Sequence, residues 1–279
     1  MRINKDSLQA RVKNLANKKK VPSNTILQDY FFDAFLKRLS KSKYIKNFVF
    51  KGGFLLSTDL GIDFRSTMDI DFLLRNLAFE KESIKNIFKE IKDIDADDNV
   101  TFDFRKITKI REEDIYGGYN VSLLGKLENI KVPVSIDVAT GDPITPSSIT
   151  YRYKCLFDDS FIEFPSYNFE TIVAEKLQTI LYRGTANSRS KDYYDIYIIN
   201  KLRIDDINPN HLKAAFNNTC EHRGTTFAKE EVLKIVQTIE TSKTIQDRWA
   251  RYAEKNAFAS KIPFSEIAEA LRFFVNMVV

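Results

Sequence analysis

Two cysteines in 279 residues, Cys155 and Cys220, are too few for a disulfide framework or a cysteine-built zinc site. The two histidines, His211 and His222, fall in no His-Glu-x-x-His or Cys-x-x-Cys pattern, which argues against a zinc enzyme. No apolar run approaches the roughly 18 residues of a membrane span. The first 15 residues are polar and charged, with no apolar signal-peptide stretch. These absences predict a cytoplasmic protein with no membrane partner. Internal repeats and low-complexity linkers are missing as well.

What remains is ample material for a folded core. The chain is 43% hydrophobic and holds 22 Phe and 12 Tyr, which excludes a disordered protein. Its length suits one large domain or two smaller lobes. Charge is uneven along it. Residues 1–51 hold 13 Lys or Arg against 3 Asp, net +10, so the rest carries 30 basic against 35 acidic groups, net −5. A basic N-terminal segment can steer a polyanion such as nucleic acid toward the protein. It can equally be the solvated face of amphipathic helices.

Periodicity divides the chain. Residues 5–19 have weak helical character, and Val21-Pro22-Ser23-Asn24 reads as a turn with an N-cap. Ile26, Leu27, Tyr30, Phe31, Ala34, Phe35 and Leu39 then recur at helical spacing, with Lys37 and Arg38 expected nearer to water. Strand-like runs follow at 68–74, 99–107, 118–125, 132–138 and 149–157, with a helix at 79–91. Beyond about 168 helical spacing dominates, over 169–183, 191–201, 228–240, 244–256 and 264–278. The expected class is α+β: a mixed-sheet lobe over 1–165 with N-terminal helices, then a helical lobe over 166–279.

The strand-like run Met68-Asp-Ile-Asp-Phe-Leu-Leu74 carries the strongest chemical signal. Side chains alternate along a strand, so Met68, Ile70, Phe72 and Leu74 face one way while Asp69 and Asp71 project side by side on the other. Adjacent like charges repel, and a cation would compensate them. Mg²⁺ favours hard oxygen ligands, commonly one or two carboxylates plus substrate phosphates. Asp137, in Val132-Pro-Val-Ser-Ile-Asp-Val138, lies opposite the apolar face of its own run together with Ser135. If the two runs pair, three carboxylates converge, enough for two metals. Pro133 has no N–H for a ladder and should mark the start or edge of its strand.

Weaker signals surround these acids. Gly52 and Gly53 stand between an apolar run and a helix start, where backbone N–H groups could approach an anion, or simply form a tight turn. Ser66 and Thr67 offer hydroxyls to a phosphate, and Arg65 offers charge, or a tie for the loop. Further on, Val173, Lys176, Leu177 and Ile180 share one helical face, so a lysine interrupts an apolar stripe. It either snorkels from the stripe's edge or is directed at a triphosphate. Ser190 reads as an N-cap. Asp192 and Asp195 follow at i and i+3, as dipole partners, or Asp192 orients Lys176, Arg189 or the incoming nucleophile.

The order Lys51-Gly52-Gly53, Arg65-x-Thr67-x-Asp69-x-Asp71, Ile136-Asp137-Val138, Glu175-Lys176-Leu177 and Lys191-Asp192-x-x-Asp195 resembles the AbiEii/AbiGii toxin family, over about residues 24–200. These are polymerase-β-type nucleotidyltransferases of phage-defence and toxin–antitoxin operons. The resemblance implies a nucleotidyltransferase sheet flanked by helices and followed by a helical C-terminal lobe. It implies metal at Asp69 and Asp71, nucleotide contact by Lys176, and a later essential Asp at 192 or 195. Gly52-Gly53 stands where the wider group has Gly-Ser, so Thr67 or Ser66 would supply the hydroxyl. MenT-type relatives transfer nucleotides to the tRNA acceptor end.

The resemblance thus implies a monomeric, Mg²⁺-dependent toxin that moves a nucleotide from an NTP to RNA, at the tRNA 3′ end, and blocks translation. A separately encoded antitoxin would neutralise it, without necessarily forming a stable complex. Transfer to a protein or a small molecule such as an aminoglycoside stays open, as does a non-catalytic NTP-binding regulator. Residues 201–279 carry no motif.

Overall fold

The computed structural model describes residues 2–65, 67–110 and 117–279. The chain divides into two compact units, Met1–Gly141 with Ile149–Ser166, and Asp142–Ser148 with Tyr167–Val279. Among the described residues no helix is long and apolar enough to cross a membrane.

The first unit contains α1 (Lys5–Lys19), α2 (Ser23–Lys41), β1 (Phe48–Lys51), α3 (Gly52–Leu60), β2 (Asp69–Leu74) and α4 (Lys81–Lys92). Strands β3 (Thr101–Ile110), β4 (Gly118–Leu127), β5 (Ile130–Ala139), β6 (Ile149–Lys154) and β7 (Phe161–Ser166) follow. All seven strands form one mixed sheet in the order β3-β4-β5-β2-β1-β7-β6. The β2–β5 and β1–β7 pairs are parallel and the others antiparallel. The expected α+β class with a mixed sheet flanked by helices is therefore what the chain adopts.

One face of this sheet is apolar and covered. Ile70, Phe72, Val134, Ile136 and Val138 are fully buried on it. Helix α2 packs against β5 and β7, and α4 against β3. Aromatic rings fill the layer between, with Phe35 stacked on Phe88 at 5.8 Å and Phe48 edge-on to Phe72 at 5.2 Å. Such pairs add roughly 0.5–1.5 kcal/mol each beyond the area they bury.

One expectation for this region needs correction. Arg38 is not near water but only 3% exposed. It donates two 2.8 Å hydrogen bonds to the Asp98 carboxylate and others to the Ala34 and Val100 carbonyls, and its guanidinium lies over Phe102. Asp98 is 60 residues away in sequence, so helical spacing alone could not reveal the pair. Arg38→Ala would leave a buried carboxylate without its counter-charge, at a cost of about 3–5 kcal/mol. Denaturant unfolding should show that loss, and an unchanged midpoint would contradict it. Pro133, expected at the start or edge of its strand, lies inside β5 where that strand is an edge. The β2–β5 pairing begins only at Ser135, so at Pro133 the strand is bordered by β4 alone, and the Pro133 carbonyl accepts from Gln28 of α2 at 2.9 Å.

Helix α2 also buries two acids one turn apart. Asp33 pairs with Lys37 at 3.0 Å. Burial, reinforced by the Asp33 charge, pushes the Asp29 carboxyl up to about 8. The folded chain therefore holds a proton that the unfolded chain releases at about pH 4. The stability this lends is complete below pH ~4 and lost as the pH rises through about 8, at roughly 1.4 kcal/mol per pH unit. Asp29→Asn should flatten the fall in unfolding midpoint between acidic and mildly basic buffers. An unaltered pH profile would refute the assignment.

The second unit holds α5 (Phe169–Arg183), α6 (Ser190–Leu202), α7 (Pro209–His222), α8 (Lys229–Thr241), α9 (Lys243–Lys255) and α10 (Phe264–Val278). Val173, Leu177 and Ile180 of α5, Tyr194 and Ile196 of α6 and Phe274 of α10 are fully buried. Ser190 is not the N-cap of α6 but its first helical residue, behind Arg189, while the N-cap position of α2 falls on Pro22, within the expected turn.

Candidate active site

The opposite side of the central strands is polar because of strand alternation. Register places Lys51 of β1 opposite Asp71 of β2, Asp71 opposite Asp137 of β5, and Asp137 opposite Asn120 of β4. Asp69 lies opposite Ser135 in the same β2–β5 pair. The strand-like runs around residues 70 and 136 are thus neighbours in parallel. Asp69, Asp71 and Asp137 are each half-buried, whereas the residues between them are fully buried on the opposite face.

Two acids opposite one another on adjacent strands disfavour each other. The flanks of the row relieve this. Asn120 donates through Nδ2 to Asp137 Oδ1 at 2.7 Å and to Ser135 Oγ at 2.8 Å, which fixes one oxygen of the carboxylate. Lys51 is 4% exposed and lines a narrow cleft with Asp71, Asp137 and Ile110. Sequence context marks Lys51 only as part of the Lys51-Gly52-Gly53 motif and does not mark Asn120, because their partners come from other strands.

The glycines make room for this row. Gly52 opens α3 with φ +76°, in the left-handed region that favours glycine. A Cβ there would stand 2.1 Å from Asp71 Oδ2, so the carboxylate occupies the space a side chain would need. At Gly53 a Cβ would meet Arg65 Nη2 at 2.9 Å and Thr67 Oγ1 at 3.4 Å. Arg65 is buried, and Thr67 is half-buried just before Asp69, whose N–H lies 3.5 Å from the Thr67 hydroxyl. Gly52, Gly53, Arg65, Thr67, Asp69, Asp71 and Asp137 therefore belong to one neighbourhood of the first unit. Ser66 lies outside the described residues.

The other candidates cluster within the second unit. The Lys176 ammonium is 2.6 Å from Asp195 and 3.2 Å from Asp192, and Arg189 donates to Asp192 at 2.6 Å. Burial alone would raise the Asp192 carboxyl, but Lys176 and Arg189 outweigh it and hold it down to about 2. Asp195 is wholly buried. The lysine that interrupts the apolar stripe of α5 thus has two acids waiting on α6. Lys176→Met would take the ammonium from the wholly buried Asp195 and leave Asp192 with Arg189, at a cost of about 3–5 kcal/mol. That variant should unfold at distinctly lower denaturant, so a loss of activity in it alone does not identify a phosphate ligand. Unfolding identical to wild type would contradict the structural part of this role.

The donors of the first unit fit a divalent cation. They are oxygen groups, carboxylate and hydroxyl, set on one face of a rigid sheet, which is the chemistry Mg²⁺ prefers. Among the described residues no group of three or more His, Cys, Asp or Glu is gathered tightly enough to cage an ion by itself. The three acids share a face without closing on a common point. An open set of this kind leaves positions for water and phosphate oxygens.

Comparison with known proteins bears on the chemistry. Residues 34–270 match the family described as Nucleotidyl transferase AbiEii toxin, Type IV TA system, a span that contains every candidate residue above. JHP933 from Helicobacter pylori has a similar fold, with a TM-score of 0.52, 15% identity and 92% of each chain covered. A candidate nucleotidyltransferase from H. pylori aligns at a TM-score of 0.48 and 13% identity, over 92% of this chain and 96% of that one. No curated protein matches the sequence.

Proposed function

The chain belongs to the AbiEii nucleotidyl transferase toxin family, and from that premise we propose that it transfers a nucleotide from an NTP to the 3′ acceptor end of tRNA, thereby blocking translation. It is a nucleotidyltransferase and the toxin of a type IV toxin–antitoxin pair, which implies a cognate antitoxin. The RNA acceptor, Mg²⁺ as the metal, a role in phage defence, a monomeric state and a cytoplasmic location are parts of the proposal. So is a division of labour between a catalytic lobe, 1–165, and a helical lobe, 166–279.

The observation that carries this reading is the row Lys51–Asp71–Asp137–Asn120 across four adjacent strands. In the transfer, the acceptor hydroxyl forms a bond to the α-phosphorus while the bond to the bridging oxygen breaks and pyrophosphate leaves. Asp69, Asp71 and Asp137 are the residues we assign to Mg²⁺, which when bound neutralises phosphate charge and polarises the attacking hydroxyl. Asn120 keeps Asp137 in one orientation, and Asp137 takes up the hydroxyl proton. Lys51 balances the row from β1. Gly52 and Gly53, with Arg65, Ser66 and Thr67, bind phosphate oxygens. The nucleotide-binding role that the family resemblance implies for Lys176, with Asp192, Asp195 and Arg189 around it in the second unit, is likewise part of the proposal.

The test supplies each α-labelled NTP in turn with total tRNA, cell protein and an aminoglycoside, and follows the label. Label on tRNA, abolished when periodate has destroyed its 3′-terminal diol, is the expected result. Label confined to protein or drug would replace the acceptor, and binding without any product would point to a regulator.

A further inference from the structure

The polar face does not stop at the carboxylates. The row through Asp71, Asp137 and Asn120 continues to Thr108 on β3, and a second row runs Asp69, Ser135, Ser122, Lys106. Ser135, Ser122 and Asn120 are half-buried, and Thr108 and Lys106 are exposed, whereas Val121, Leu123 and Ile107 between them are buried on the opposite face. An open polar strip therefore leads from the acids to the edge of the sheet. Its length is three strand spacings, about 14 Å.

A β-bulge ends that strip. In β3 the pairing steps from Phe104↔Leu123 to Lys106↔Ser122, leaving Arg105 as the extra residue. Without the bulge, strict alternation from the buried Phe102 would turn Lys106 toward the core and Ile107 outward. The bulge instead sets two exposed cations, Arg105 and Lys106, next to each other on an edge strand. Lys131 of β5 is exposed on the same face, and Lys126 of β4 already pairs with Asp103 at 2.5 Å. Among the described residues Arg105, Lys106 and Lys131 have no ion-pair partner. Cations also guard edge strands against aggregation, but that role needs neither the bulge nor the polar strip leading to the acids.

We propose that this strip is the docking face for the acceptor, a single-stranded RNA end whose terminal hydroxyl reaches Asp71 and Asp137 while Arg105 and Lys106 hold upstream backbone phosphates. The inference rests on the RNA reading given above. Among the described residues the strip presents hydroxyls, an amide and cations but no aromatic ring, a surface that grips the backbone rather than reading bases. Recognition of one particular RNA would have to come from elsewhere in the chain.

The full chain and its Arg105→Glu/Lys106→Glu variant are compared for binding of a fluorescent short single-stranded RNA, across a salt series, and for label transfer. Arg105→Ala/Lys106→Ala serves if the reversal does not fold. RNA affinity should fall about tenfold or more, and the slope of log K against log salt should shrink by about 1.4, the value for two lost phosphate contacts. The KM for RNA should rise in step, with NTP affinity unchanged. If the variants bind RNA like wild type while RNA is still labelled, the docking face is wrong and the RNA reading stands. If wild type labels only protein or a small molecule, both are wrong.

Discussion

Gly52→Ala is expected to lower nucleotidyl transfer by roughly 100-fold or more, the scale on which a misplacement of about 1 Å at a reacting centre is felt. The added methyl would fall 2.1 Å from Asp71 Oδ2 on a backbone with φ +76°, so the carboxylate and the first turn of α3 must both shift. The stability cost is smaller, about 1–2 kcal/mol. Gly53→Ala provides the comparison. Its methyl would meet the far end of the Arg65 side chain at 2.9 Å, which can swing aside, so its effect should be milder. Steady-state transfer rates and unfolding curves for the two variants check the ranking. Equal activity in Gly52→Ala and wild type would show that the position of Asp71 does not matter.

Asp71→Asn is expected to abolish transfer, by roughly 10³-fold or more, and to end toxicity on induced expression. The substitution keeps the shape that fits over Gly52 and removes the charge. It also removes the repulsion between Asp71 and Asp137, whose positions face each other across β2 and β5. The change takes a counter-charge from the buried Lys51 opposite as well, so the two effects offset and the unfolding midpoint should stay close to that of wild type. A stable variant that still arrests growth would contradict the assignment of Asp71. A variant that fails to fold would instead give that acid a structural role.

Much of this site was legible in sequence because its signals are local. Alternation around Asp69 and Asp71, and around Asp137, predicted which side chains share a face, and Ile70, Phe72, Ile136 and Val138 are indeed buried opposite the acids. The interrupted stripe of α5 likewise pointed to Lys176. Information carried by pairing was not legible. Lys51 and Asn120 enter the row only through the neighbours β1 and β4 gain in the sheet. Arg38 looked solvent-facing because Asp98 is remote in sequence. Strands β1 and β7 went unread because β1 is four residues long and β7 contains Pro165. Helix α7 was missed although Asn208 caps it through two backbone N–H groups and Pro209 occupies its first turn. That cap signature could have been read.

The most direct test of the central claim, that the acidic row of the sheet carries out nucleotidyl transfer, is one gel. Purified wild type and Asp69→Ala are incubated with Mg²⁺, α-labelled NTP and total tRNA, and the products are separated under denaturing conditions. A labelled tRNA band with wild type, absent with Asp69→Ala and absent when the cation is chelated, is the predicted result. An equally labelled band with Asp69→Ala would contradict it.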